Sequence, residues 1–301
     1  MVSTGSLPEL QEKFAPQLSE PQSLGLLKQI QQCPLSVRGQ TVSSSYVQGG
    51  DVNPDRAPIL LLHGFDSSLL EFRRLFPRLA KHQETWVLDL LGFGFSDRSS
   101  GLPINPDTIN EHLYSFWREQ LQERSLILVG ASMGGAVALK FALSYPQAVK
   151  QLVLIASAGV QMGPVIGKFL FPPLDRWAVE FLRRPDVRRN ISRNAYADPD
   201  RWVTPDAEVC ASMHLEMPYW AEALKTFTKS GGYPSFRSQL PQVQAPTLIL
   251  WGRNDRILGT KDAIVFQTQL PHAQLQWIED CGHVPHLEKP AETAEQIINR
   301  C

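Results

Sequence analysis

The sequence predicts an α/β protein: a mostly parallel sheet with helices on both faces and one large helical insertion. Two observations carry that prediction. Six short apolar runs, rich in Leu, Ile and Val and bounded by Gly, Asp or Pro, alternate with amphipathic stretches of helical length. Their regular spacing is broken once, by about 90 residues after Ser157, where a crossover between parallel strands needs only about a dozen.

In chain order, residues 1–40 form a lead in which SLGLLKQIQQ (Ser23 to Gln32) predicts a short helix. Thr41 to Gln48 alternates weakly and predicts a leading antiparallel strand. The six runs follow: Pro58 to Gly64, Thr85 to Gly92, Ser125 to Ser132, Gln151 to Ser157, Thr247 to Gly252 and Leu275 to Asp280. Continuous apolar character is what strands buried on both faces require. Leu69 to Ala80, Asp107 to Glu123, Met133 to Ser144, Lys261 to Leu270 and Ala291 to Asn299 have the length and apolar spacing of covering helices. The expected division is an N-terminal extension (1–40), a core (41–157 and 246–301) and a helical cap (158–245).

Composition removes several classes of function. The 301 residues are 43% hydrophobic and 20% charged, with 29 Lys+Arg against 30 Asp+Glu and a formal net charge of −1. No basic excess is available for phosphate neutralisation, so no nucleic-acid partner is expected. Cys33, Cys210, Cys281 and Cys301 show no CxxC spacing, which argues against a zinc site and a disulfide framework and fits a reducing, cytoplasmic compartment. The seven histidines show no H-x-x-x-H or paired-carboxylate spacing, so no metal is expected. The N-terminal stretch lacks the apolar run of a secretory signal. The longest uncharged stretch, Gln151 to Gly167, is interrupted by Gln, Gly and Pro and predicts no transmembrane segment.

The chemistry concentrates at Gly130-Ala131-Ser132-Met133-Gly134, set between the strand LILV and the helical stretch AVALKFAL. A serine there sits on a nucleophile elbow, a turn so tight that glycine is needed on either side; the alternative is an ordinary Gly-rich turn. With this motif the chain resembles the α/β-hydrolase family from about Thr41 to its C-terminus, and the resemblance implies the order Ser, acid, His. Asp255, in Gly252-Arg253-Asn254-Asp255-Arg256, stands at the matching position for the acid. His283, in Cys281-Gly282-His283-Val284-Pro285-His286, stands at that of the histidine. A serine hydroxyl needs a base in contact, and the base needs a partner that fixes its tautomer; Ser132, His283 and Asp255 would fill those roles. Asp255 otherwise reads as a turn residue capping the next helix, His283 as a satisfied loop histidine, and His286 as structural.

An oxyanion requires backbone donors. The N–H of Met133, next to the nucleophile at a helix start, supplies one; the resemblance implies the N–H of Phe65, in His63-Gly64-Phe65-Asp66, as the other, with both side chains lining the acyl pocket and His63 shaping the loop. Asp89 to Arg98 is glycine-containing but lacks the following acidic residue of a dinucleotide fingerprint, so no NAD or flavin cofactor is expected.

In the cap, Arg183, Arg184, Arg188, Arg189 and Arg193 lie among acids and read as a solvated helix face. The sharper reading is contact with a substrate carboxylate or lipid headgroups, a peripheral membrane contact aided by Val165 to Leu174. Trp177, Trp202, Trp220, Met213, Met217 and Phe227 are expected to form the cap's core and the pocket roof.

The function these features imply is a serine hydrolase cleaving a small-molecule or lipid-like ester through an acyl-enzyme. The loops GRNDRI and Cys-Gly-His also resemble the meta-cleavage-product hydrolases, which cleave carbon–carbon bonds; Ala131 and Val284 depart from the Asn and aromatic residue usual there. A non-catalytic hydrolase-fold binding protein is the third reading. The whole chain, including the lead and GGYPSF, also looks like hydrolases of cyanobacteria and chloroplasts, a resemblance that implies a membrane lipid or pigment ester as substrate.

Overall fold

The computed structural model describes residues 5–99, 101–161 and 174–300. Its centre is an eight-stranded sheet: β1 (Gln31–Val37), β2 (Gln40–Gly49), β3 (Ile59–Leu62), β4 (Thr85–Leu88), β5 (Leu126–Ala131), β6 (Val149–Ile155), β7 (Thr247–Gly252) and β8 (Ala273–Ile278). The spatial order is β1-β2-β4-β3-β5-β6-β7-β8. β1, β2 and β4 pair antiparallel, and β4 through β8 are parallel. Alternate residues of the central strands feed two cores, with Leu60, Leu62, Leu128 and Leu154 on one face and Ile59, Leu61, Val129 and Ile155 on the other. Each of these central runs therefore had to be apolar over the stretch that both cores cover.

Strand order reverses around β3, which has β4 on one side and β5 on the other. Loops leaving the carboxyl ends of β3 and β5 then part to opposite faces, and a crevice opens between them. Gly64 follows β3 and Ser132 follows β5; a Cβ built on Gly64 would lie 3.4 Å from the Ser132 Cβ.

Three local expectations change. The lead is less separate than expected, because its last residues form β1 and pair along their whole length with β2. Pro34 and the alternating burial of β1 hid it, proline being tolerated only on such an edge. The helix expected at Ser23 to Gln32 runs instead over Pro21–Lys28, and a further helix at Leu7–Phe14 precedes it. Leu69 to Ala80 is no single helix: Leu69–Phe72 is 3-10 and Phe76–Leu79 a separate turn, since Pro77 cannot continue the i→i−4 ladder.

Between β6 and β7 the described residues carry helices Leu174–Arg183, Pro185–Ala195, Pro205–Ser212 and Trp220–Ser230. Val179, Leu215, Trp220 and Leu224 make a small cluster of their own. Trp177, expected in the core, is 65% exposed, in line with Leu174 and Phe181 on the outer face of its helix. Apart from Leu174, the run Val165 to Leu174 lies outside the described residues. Among the described residues no helix is long and apolar enough to cross a membrane.

Candidate active site

Ser132 follows β5 with φ 50° and ψ −119°, a positive-φ conformation rarely adopted by a residue with a side chain. Backbone hydrogen bonds hold it there: its N–H donates to the Ile155 carbonyl (3.0 Å), and its own carbonyl accepts from Gly135 (3.0 Å) and Ala158 (2.9 Å). The flanking glycines are forced by approach. A Cβ at Gly130 would stand 2.2 Å from the Gly134 carbonyl oxygen, and one at Gly134 only 2.1 Å from that of Leu62.

His283 and Asp255 come together from loops following β8 and β7. His283 Nδ1 lies 2.9 Å from Asp255 Oδ2. The other carboxylate oxygen, Oδ1, accepts from the N–H groups of Ile257 (2.8 Å) and Leu258 (3.0 Å). Both side chains are buried. The His283 loop is also tied to the insertion. The His283 N–H donates to the Ala195 carbonyl (2.6 Å), while the buried Glu288 carboxylate accepts from Gly282 (2.7 Å), Ala197 (3.0 Å) and Asp198 (3.0 Å). A Cβ at Gly282 would stand 2.2 Å from the Ala195 oxygen, so only glycine lets the insertion approach so closely.

The loop after β3 is pinned from several sides. His63 Nε2 accepts from the Leu90 N–H (3.1 Å), so the ring proton is on Nδ1, which faces the Gly64 carbonyl at 2.8 Å. Burial lowers the His63 pKa to about 4, and the ring is neutral at physiological pH. Its 3.7 Å approach to Asp89 Oδ1 is accordingly no ion pair. Turning the Gly64 carbonyl toward His63 sends the trans N–H of Phe65 the opposite way. Neither the Phe65 nor the Met133 N–H donates to another group among the described residues. The Gly64 N–H donates to Glu71 Oε2 (2.9 Å), whose Oε1 stands 3.0 Å from His286 Nε2.

Asp66 accepts from Arg188 Nη1 (2.7 Å) and Trp220 Nε1 (2.8 Å), with His214 Nε2 at 3.4 Å. Burial alone would raise its carboxyl; His214, Arg188 and Trp220 outweigh it and hold the pKa at about 2. Because burial also lowers the pKa of His214, the permanent charge of Arg188 is the partner that counts at neutral pH. Arg188→Met is expected to cost about 3 kcal/mol of stability at pH 7 by leaving a buried carboxylate unpaired, read from urea unfolding. The Asp66 contribution is full above the unfolded carboxyl pKa of about 3.9 and is lost as pH falls toward about 2. The wild-type urea midpoint should drop through that window, and less steeply in the variant; parallel profiles would sink the pairing.

Ser132 and His283 line one cavity of about 300 Å³, together with Phe65, Asp66, Glu71 and Arg73. Its wall from the insertion is Ile191, Ala195, Tyr196, Val203, Ala207 and Ala211 rather than the Trp and Met residues expected as a roof. Met133 packs its side chain into the core, so of the two side chains expected in the pocket only Phe65 lines it. The five clustered arginines from Arg183 to Arg193 are engaged within the protein. Arg183 donates to the Leu215 carbonyl, and Arg184, Arg188, Arg189 and Arg193 pair with Asp186, Asp66, Glu208 and Asp200. Sequence reasoning missed Glu71, Arg73 and Glu288. Their only signal was ionisable side chains within otherwise apolar segments, Leu69 to Leu79 and Val284 to Leu287 with its neighbours.

Fold and site together define a hydrolase class, and comparison with known proteins gives its family: residues 57–290 match the alpha/beta hydrolase fold, and the chain belongs to that family. It is 34% identical over 244 residues to the alpha/beta hydrolase domain-containing protein VTE7 of Arabidopsis thaliana, covering 81% of this chain and 73% of that one. It is 26% identical to 2-hydroxymuconate semialdehyde hydrolase of a Pseudomonas strain, covering 80% and 85%. The crystal structure of a membrane phospholipase A, a bacterial virulence factor, superposes with a TM-score of 0.74 at 25% identity, covering 98% of this chain and 92% of that one. The resemblance to meta-cleavage-product hydrolases extends to solved structures, one from Pseudomonas fluorescens having a TM-score of 0.75 at 20% identity and covering 91% of this chain and 99% of that one.

Proposed function

We propose that the chain is a serine hydrolase that cleaves an ester through an acyl-enzyme, with residues 158–245 serving as a cap over the reacting groups. The observation carrying this reading is the strained Ser132 sharing one cavity with His283, whose far nitrogen is held 2.9 Å from Asp255. Ser132 Oγ attacks the ester carbonyl while His283 Nε2 takes its proton. The carbonyl oxygen becomes an oxyanion that the Phe65 and Met133 amides receive. Collapse breaks the C–O bond, and the alcohol leaves with the proton from His283. Water then attacks the acyl-serine, again losing a proton to His283, and Ser132 is regenerated as the acid departs. Similarity to a phospholipase A favours ester cleavage, whereas similarity to a semialdehyde hydrolase keeps carbon–carbon cleavage as the second reading.

The deciding experiment is hydrolysis of p-nitrophenyl esters from short to long acyl chains, beside a vinylogous 1,5-diketone, with Ser132→Ala as the control throughout. Serine-dependent ester turnover exceeding that of the diketone is the expected result. Preference for the diketone would transfer the same residues to carbon–carbon hydrolysis, and no serine-dependent turnover of either would leave a binding protein.

A further inference from the structure

Asp66, Glu71, Glu208 and His283 all line the Ser132 cavity, and each has an ionisable side chain within 4 Å: Arg188, His286, Arg189 and Asp255 respectively. Arg73 lines the same cavity and differs. Only 3% exposed, it donates from Nη1 to the Leu70 carbonyl (3.3 Å) and has the neutral Tyr196 hydroxyl beside it, while Nε and Nη2 are buried with no acceptor aligned to receive them and no carboxylate paired to the charge. The carboxylates whose fields reach it, Glu20 and Asp206, are held by other donors. Glu20 forks with Arg74, and Asp206 accepts from the Ser19 and Glu20 N–H groups and the Ser23 hydroxyl. A guanidinium in this state has given up its water and recovered few hydrogen bonds in return. Its planar fork suits a carboxylate or a phosphate.

We infer that Arg73 is the recognition group for an oxyanion on the substrate, so that the enzyme takes small esters bearing a carboxylate or phosphate remote from the scissile carbonyl. The inference rests on the ester-hydrolase reading and narrows its substrate class. The walls of the cavity that holds both Arg73 and Ser132 include the apolar Val203, Ala207, Ala211 and Leu287, which suits a hydrocarbon spacer. A volume of about 300 Å³ keeps that spacer short. Binding energy at the remote anion would hold the carbonyl over Ser132 and appear as selectivity in kcat/KM.

The test uses two matched pairs: the p-nitrophenyl half-ester of glutaric acid against p-nitrophenyl valerate, and 1-butyrylglycerol 3-phosphate against 1-butyrylglycerol. Wild-type enzyme is expected to favour the charged member of at least one pair by about tenfold or more in kcat/KM; the pair that responds identifies carboxylate or phosphate as the source. Arg73→Met should collapse that ratio to near unity. Lack of preference in both pairs, or an unchanged ratio in Arg73→Met, would overturn the inference. Because the variant could fail to fold, wild type alone supplies a second reading: glutarate or inorganic phosphate should compete with the neutral esters, and inhibition by neither rejects the subsite. Should no ester be turned over in a Ser132-dependent way, it is the ester reading that fails. The subsite is then decided by whether glutarate or phosphate raises the wild-type unfolding temperature, with no rise counting against it.

Discussion

Ser132→Ala is expected to lower ester turnover on the order of 10⁶-fold, the loss found when the nucleophile of a serine triad is removed, while the thermal midpoint stays within about 2 °C. The two halves of that expectation have separate causes. Activity collapses because no other hydroxyl stands at the end of β5 to form the acyl-enzyme, and free amides at Phe65 and Met133 can only stabilise attack by water. Stability holds because the strain at residue 132 is carried by its backbone, which is fixed through Ile155, Gly135 and Ala158. Alanine meets the same φ penalty as serine and loses none of those bonds. Activity of the variant above about 1% of wild type on the best ester would reject Ser132 as nucleophile, and the absence of covalent labelling of wild type by a fluorophosphonate would do so independently.

Asp255→Asn is expected to reduce kcat about 10⁴-fold, as for a triad acid replaced by its amide. Geometry explains why so isosteric a change should matter. Oδ1 accepts from two backbone N–H groups, those of Ile257 and Leu258. An amide must keep its oxygen on that side, and its NH₂ then faces His283 Nδ1. A donor facing Nδ1 forces the imidazole proton onto Nε2, the nitrogen that has to receive the serine proton. Folding should be little affected, so a normal urea midpoint together with the rate loss is the expected signature. A variant retaining more than about a tenth of wild-type kcat would mean that Asp255 does not set the tautomer.

What could be read from the sequence was local. β3, β5, β6 and β7 are contiguous apolar runs, and Ser132, Asp255 and His283 each sit in a short motif after a strand, which the resemblance to the α/β-hydrolase family, with its order Ser, acid, His, joined into a set. What escaped depends on contacts between distant residues. Arg188 looked like one charge among five on a solvated helix, yet its partner Asp66 lies 122 positions away. Glu288 reads as a surface acid until Ala197 and Gly282 converge on it. β1 was hidden by Pro34, whose missing N–H is harmless only on the rim of the sheet. The break at Pro77 was visible as a residue, but hydrophobic spacing across Leu69 to Leu79 favoured a continuous helix.

The glycine at 282 and the carboxylate at 288 bear on how this chain could be recombined. They make the histidine loop and the insertion share backbone hydrogen bonds, through Ala195, Ala197 and Asp198. A foreign insertion spliced between β6 and β7 would bring its own substrate walls but leave Glu288 facing donors it was not shaped for and His283 without the Ala195 carbonyl. The transplantable unit is therefore the insertion together with the loop from Cys281 to Glu288, two stretches far apart in the chain that can only be exchanged as one piece.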